Sequence, residues 1–272
     1  TDTPARITSG GGGSAANVAA WLAVGGTRTA YVGRAGTDLA GAASVALLTQ
    51  TGVQTYVVRD PRRPTGTCVV LVGPDGARSM LPDPGANLAL SPGDVPAELF
   101  LAGRHLHLTG YSLARGGPRP AARHALALAR SAGMTVSVDP SSVALLTGAA
   151  GSALLAAVAG VDLLLPNLDE ARVLTGERDP MAAARALTAV AGTVVVTLGA
   201  GGAVLAEATG GCARVGARDV RVVDTTGAGD AFAAGFLTAR RTGASAKAAL
   251  AAATDTAARA VAAAGARPPA GR

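Results

Sequence analysis

From residue 104 to the C-terminus, short β-branched runs take turns with longer Ala-rich segments, and this alternation constrains the fold more than any other feature. The runs at 105–108, 135–139, 162–165, 193–198 and 220–223 predict strands. The segments at 120–132, 180–190, 228–240 and 244–264 predict helices. Strands separated by helices can lie parallel, and strands covered on both faces read as unbroken apolar runs. The expected class is α/β, a mostly parallel central sheet with helices on both faces.

The first hundred residues are less regular. A short strand is expected at 3–7, then a glycine run at 10–13. A helix follows over 14–24, with Ser14 as its cap and Val18, Trp21 and Leu22 on one face. A buried strand at 29–32 and a helix from Asp38 to Gly52 come next. Between 54 and 82 the pattern shifts to β-rich runs at 55–59, 67–72 and 78–81. Pro74-Asp75-Gly76-Ala77 separates the last two as a hairpin turn. This stretch is the candidate for a small separate sheet. Without a fixed-period repeat or a long linker, one domain over 1–272 is expected.

Composition excludes several classes. The uncharged stretch 143–161 approaches the roughly 20 residues that span a bilayer. It is interrupted by Gly148, Gly151 and Gly160 and runs into Asp162, so a buried helix followed by a strand is expected. No charged-then-apolar leader opens the sequence, and Cys68 and Cys212 form no C-x-x-C pair, which fits a reducing cytoplasm. The net charge is +6, yet the arginines are scattered and aromatics make up 3%. Single-stranded nucleic-acid binders need stacking platforms beside their charge, so a nucleic-acid partner is not expected. His105, His107 and His124 have no Cys or acid at ligand spacing, and no metal site is expected on them.

The segment Asp224-Thr225-Thr226-Gly227-Ala228-Gly229-Asp230-Ala231-Phe232 follows an apolar run and opens an apolar helix. A helix start presents unpaired N–H groups and a partial positive charge, and glycine lets an anion approach them. Three chemistries fit. A dinucleotide fingerprint would want glycine where Phe232 stands, and Asp230 would repel its pyrophosphate. Asp230 could simply stabilise the helix terminus. Alternatively, Asp230 could accept a proton from an attacking hydroxyl while adjacent N–H groups hold a transferring phosphoryl group. All 24 basic residues but Lys247 are arginine, and Lys247 is followed by Ala248. Neither a P-loop nor a protein-kinase lysine is therefore available.

With these residues in view, the chain closely resembles the ribokinase-like (PfkB) carbohydrate kinases. One signature is Gly12-Gly13-Ser14-Ala15-Ala16-Asn17-Val18-Ala19, continuing into Val32-Gly33-Arg34-Ala35-Gly36-Thr37-Asp38; the other is the 224–232 segment. Pro166-Asn167-Leu168-Asp169-Glu170 resembles the family's N-x-x-E motif, and Thr197-Leu198-Gly199-Ala200-Gly201-Gly202 its nucleotide loop. The resemblance implies Asp230 as general base and the amides of Gly227, Ala228 and Gly229 as anion hole. It implies ATP as donor, with Asn167, Glu170, Thr197, Gly199 and Gly202 at the nucleotide and Glu170 organising Mg2+ through water. Gly12, Gly13, Asn17 and Asn87 would contact the acceptor. Asp224 and the carbonyl of Thr226 would hold a monovalent cation such as K+, with carbonyls from 257–265. Helix capping and strand-end turns are the competing readings for Asn167, Thr197 and Gly199.

The resemblance also implies a β lid, around 3–8 and 54–82, and leaves a homodimer through it open. The family's first strand, ending in a substrate-binding Asp, has no counterpart before Pro4. Ser14 stands where ribokinases carry Lys, and Thr109-Gly110 stands where they carry an acid, so ribose is not favoured. The expected activity is transfer of the γ-phosphoryl group to a hydroxymethyl group of a small sugar or sugar acid. A nucleoside kinase, which needs an aromatic slot beside Asn17, and a non-catalytic sugar- or nucleotide-binding module are the alternatives.

Overall fold

The computed structural model describes residues 4, 7–72, 78–114 and 116–269. The chain opens with helix α1 (Ser14–Val24), followed by strand β1 (Ala30–Gly36), α2 (Leu39–Gln50) and β2 (Gln54–Asp60). Next come β3 (Thr67–Val72), β4 (Arg78–Asp83), β5 (His105–Thr109), α3 (Gly110–Ala114), α4 (Arg119–Ser131) and β6 (Thr135–Asp139). The remainder is α5 (Ala149–Val158), β7 (Val161–Leu164), α6 (Leu168–Thr175), α7 (Pro180–Leu187), β8 (Ala191–Thr197), β9 (Ala203–Glu207), β10 (Cys212–Val215), α8 (Ala228–Arg241) and α9 (Ala246–Val261).

Strands β5 to β10 form one six-stranded sheet in sequence order. β5 to β8 run parallel, whereas β9 and β10 run antiparallel to their neighbours. The central sheet is thus mixed, its parallel part lying where α/β connections intervene. Alternation along the strands sorts the core into two layers. Val194 and Val196 join Leu126, Val136, Val138 and Leu164 on one face, while Val195 and Leu205 join Trp21, Phe232, Phe236 and Leu250 on the other. α1 is buried nearly all round, from Ala16 to Leu22, as a helix wedged between layers should be. α8 and α9 cross closely at Gly235, where a Cβ would stand 2.5 Å from Thr256 Oγ1.

Three expectations need correction. Residues 220–223 form no strand: Val222 and Val223 are more than half exposed, and the amides of Val223 and Asp224 both donate to the Val261 carbonyl at the end of α9. The two strands after β8 are instead β9 and β10. The run at 55–59 does form a strand, but β2 pairs in parallel with β1 across the α2 crossover, not with the β-rich segment after it. Arg34 anchors that unit by ion pairs to Asp60 (3.0 Å) and Asp94 (2.9 Å). Only β3 and β4 stand apart as an antiparallel pair, in register from Thr67↔Asp83 to Val72↔Arg78. Third, Ser14 is the first residue of α1, not its cap; Gly13 occupies that position without a side-chain bond.

The proposed turn at 74–77 and most of the strand proposed at 3–7 lie outside the described residues, and Ile7 itself lies in no strand. Asp38 does cap α2, accepting from the Gly41 amide at 2.8 Å. Among the described residues no helix is long and apolar enough to cross a membrane, and no group of His, Cys, Asp and Glu could hold a metal by itself.

On the face of β5 opposite Leu106 and Leu108, His105 and His107 both contact the Ser137 hydroxyl, at 2.7 and 2.8 Å. Burial pulls their pKa values down, to about 4 and about 3, so the folded chain keeps both neutral. Their contribution to stability is complete above the ordinary value of 6.5 and is lost as pH falls through those depressed values. Melting followed by circular dichroism between pH 7 and 4 should show a steeper acid limb in the wild type than in His107→Phe. Parallel limbs would show that this histidine does not titrate on unfolding.

Candidate functional site

The parallel strands β5 to β8 point their C-terminal ends toward the start of α8, and candidate residues from separate elements gather there. In open α/β sheets that edge is where ligands bind. Gly227 caps α8 in the left-handed region (φ 75°), and the backbone of Ala266 packs so close that a Cβ there would lie 2.6 Å from its carbonyl. Among the described residues, no acceptor engages the amides of Gly227 and Gly229, whereas that of Ala228 reaches the Thr225 carbonyl at 3.3 Å. Two of the three amides expected to form an anion cradle are therefore open among the described residues.

Asp230 sits in the first turn of α8. Its Oδ1 accepts from the Ser14 hydroxyl at 2.7 Å and its Oδ2 from the Asn17 amide at 2.8 Å. Burial raises its pKa, and the bonds from Ser14 and Asn17 offset that only in part. A carboxylate in this state is a stronger base than one in water. Asn17 was expected on the acceptor; in the structure its side-chain amide donates to Asp230. Ser14 was expected as a cap, and only the packing of α1 on α8 reveals it as a partner of the acid.

The loop before α1 brings in a residue that sequence reasoning passed over. Arg267 donates from Nη2 to the Gly12 carbonyl at 2.9 Å, and its Nε reaches Asn17 Oδ1 at 3.4 Å. One Arg among many, past the last helix, carries no sequence signal of such a place. Gly12 has open space where a side chain would be, and Gly13 holds φ 88°. Asn87 lies in the turn after β4, where its side chain donates to the Pro84 carbonyl at 2.9 Å; no hydrogen bond joins it to Asn17 or Asp230.

Asn167 and Glu170 form a reciprocal capping box at the start of α6, each side chain accepting from the other's backbone amide at 2.9 Å. The capping role weighed for Asn167 is thus present. Glu170 is only 2% exposed, and burial pushes its pKa up to about 7. Asp139, at the end of β6, is raised well above the usual carboxylate range by burial, by Glu170 and by Asp230. Three acids therefore share one field. The Asp139 carboxylate accepts from the Ser141 amide at 2.7 Å, which holds it at the end of the strand.

Thr197 closes β8, and its amide donates to the Pro166 carbonyl at 3.0 Å, tying this loop to the Asn167 turn. Gly199 follows with φ 57° and open space around its Cα. Gly202 is buried, and a Cβ there would overlap the Val215 carbonyl, so packing alone demands glycine. The Asp224 carboxylate accepts from the amides of Thr226 (2.8 Å) and Gly265 (2.9 Å), which folds the 224–226 turn onto the loop after α9.

The profile of the pfkB family carbohydrate kinases matches residues 1–271. A fructokinase of Escherichia coli is 34% identical over 241 residues, spanning 84% of this chain and 76% of that enzyme. The adenosine kinase of Sinorhizobium meliloti superposes with a TM-score of 0.88 at 30% identity, over 94% of this chain and 79% of that one. The fructokinase of Vibrio cholerae O395, solved in a fructose, ADP and calcium ion bound form, gives 0.78 at 29% identity, over 94% and 86%.

Two outcomes follow from the geometry. Gly227→Ala should cost about 1–2 kcal/mol from the left-handed conformation alone, and more from the overlap with Ala266; a lowered midpoint in urea would register it. Glu170→Gln keeps the capping box, because Gln serves at that position. If the Glu170 carboxylate contributes to activity, the acid limb of the kcat/KM profile, expected near pH 7, should move to lower pH in that variant. An unmoved limb would exclude Glu170 as its source.

Proposed function

The chain belongs to the pfkB family of carbohydrate kinases, and on that premise we propose that it transfers the γ-phosphoryl group of ATP to a hydroxymethyl group of a small sugar or sugar acid. The observation that carries the reading is the position of Asp230, raised in pKa beside the acceptor-free amides of Gly227 and Gly229. Asp230 takes the proton of the acceptor hydroxyl, which replaces Ser14 or Asn17 as its hydrogen-bond partner. The amides of Gly227 and Gly229, with the helix terminus behind them, stabilise negative charge on the transferring group. A donor of this kind typically contributes about 10²–10³ in rate. They also stand in for the lysine that other phosphotransferases use.

Mg2+, when bound, neutralises charge on the phosphate oxygens. The residues present fit an ion held chiefly by phosphates and water: Glu170 and Asp139 supply carboxyl groups that a bound cation would favour in their ionised form, while no group of side chains among the described residues could hold a metal by itself. Asn167, Thr197 and Gly199 line the donor side. Gly12, Gly13 and Asn17 hold the acceptor's hydroxyls, with Asn87 at the base of the β3–β4 pair. K+ fits beside Asp224 and Thr226, at the partially negative C-terminus of α9.

The β3–β4 pair is the moving cover in this reading. Its Val69, Leu71, Val72, Met80 and Leu81 are all more than half exposed, which suits closure over the site or pairing with a second copy. Within the chain as a whole, these parts act as one kinase domain in the cytoplasm. A nucleoside acceptor is the second reading, favoured by the likeness to an adenosine kinase. Against it, Trp21 is 3% exposed and its ring N–H donates to the Ala266 carbonyl, so it offers no slot for a base.

Coupled ADP-release assays over neutral sugars, sugar acids and nucleosides test the proposal. Asp230→Asn should lower kcat by about 10²–10⁴ while ATP still raises the melting temperature. Activity within tenfold of wild type would remove Asp230 as the base.

A further inference from the structure

The cation at this site lacks an anion. Arg267 follows directly on Ala266, whose backbone packs against Gly227, but its guanidinium turns to the loop before α1. Nη2 and Nε meet Gly12 and Asn17, while Nη1 is buried and has no hydrogen-bond partner. A Cβ on Gly11 would overlap the guanidinium, so the glycine run lies directly against it. No ion pair among the described residues includes Arg267. Asp230 does not serve: its oxygens accept from Ser14 and Asn17, and no hydrogen bond or ion pair joins them to the guanidinium.

Buried charges are kept paired in proteins, because removal from water is strongly unfavourable otherwise. Burial depresses the pKa of Arg267, and the nearby Tyr31 hydroxyl opposes that shift. Burial in turn raises the pKa of Tyr31, so at ordinary pH that ring stays neutral and supplies no counter-charge. A planar fork with one free donor edge fits a carboxylate or phosphate oxygen. The edge also lies on the acceptor side: its contacts are Gly11, Gly12 and Asn17, not the amides of Gly227 and Gly229.

Resting on the kinase reading above, we infer that Arg267 selects an acceptor bearing an anionic substituent, a carboxylate or a phosphate monoester, bound at Nη1 while the hydroxyls lie on Gly12, Gly13 and Asn17. The acceptor then brings the missing counter-ion, and its binding completes the pairing. A neutral sugar would leave Nη1 buried without an anionic partner, and would be discriminated against for that reason. The shared chemistry is the anion; carboxylate and phosphate differ only in its source.

The test uses the whole chain with three probes: a keto-deoxy aldonic acid, a sugar monophosphate and a neutral hexose. Both kcat/KM and calorimetric affinity are measured for the wild type, Arg267→Met and Arg267→Lys. The wild type should prefer one anionic probe over the hexose by about 10- to 100-fold, the range of a charge-assisted hydrogen bond. The probe preferred identifies the carboxylate or the phosphate. Arg267→Met should collapse that ratio, with the loss in KM, and Arg267→Lys should restore part of it.

A wild-type preference for the hexose overturns the inference. So does an equal fall in kcat for every acceptor in both variants, which would assign Arg267 to the transferred group instead. If no probe is turned over, the kinase reading fails separately, and calorimetry still decides. Anion binding that depends on Arg267 supports the inference, and equal affinity in wild type and variants sinks it.

Discussion

Ser14 and Asn17 give their hydrogen bonds to a carboxylate more than two hundred residues away, on Asp230. The site depends on that junction. An acid drawn out of water needs donors, and α1 supplies two of them one helical turn apart. The helices can meet this closely because α8 offers a small surface: Val18, Trp21 and Leu22 of α1 share one buried cluster with Ala231, Ala233 and Ala234 of α8. The Ala-rich composition is thus a packing device as well as a bias of the sequence.

Charge in the cleft is arranged by burial more than by the number of ionised groups. Asp139, Glu170 and Asp230 all have raised pKa values, with desolvation as the first cause in each. Opposing them are open amides at the start of α8 and one guanidinium, Arg267. A site built this way is held rigidly by backbone, which suits positioning a phosphoryl group and a hydroxyl in line.

Much of this was legible beforehand. The glycine-and-aspartate segment at 224–232 announced a helix start with an acid in its first turn, and the structure has that. The capping spacing of Asn167 and Glu170 was equally visible. Other features were hidden for identifiable reasons. Apolar residues at 220–223 look like a strand by type, yet no strand pairs with them, and the Val261 carbonyl takes the amides of Val223 and Asp224 instead. The 55–59 run was recognised as β, but composition does not say which strand it pairs with. Ser14 looked like a cap because caps are what serines before helices usually are.

What the sequence by itself determined is the local vocabulary: where helices begin, which runs are apolar enough to be strands, and which loop combines glycine with an acid. These depend on residues close together along the chain, through backbone preference and side-chain period. Only the tertiary structure decided that Asp230 meets Ser14 and Asn17, that Asp139 shares a field with Glu170, and that Arg267 returns to the glycine loop before α1. Those are contacts between distant segments, set by how two core layers pack on one sheet, and no local pattern encodes the partner of a buried charge.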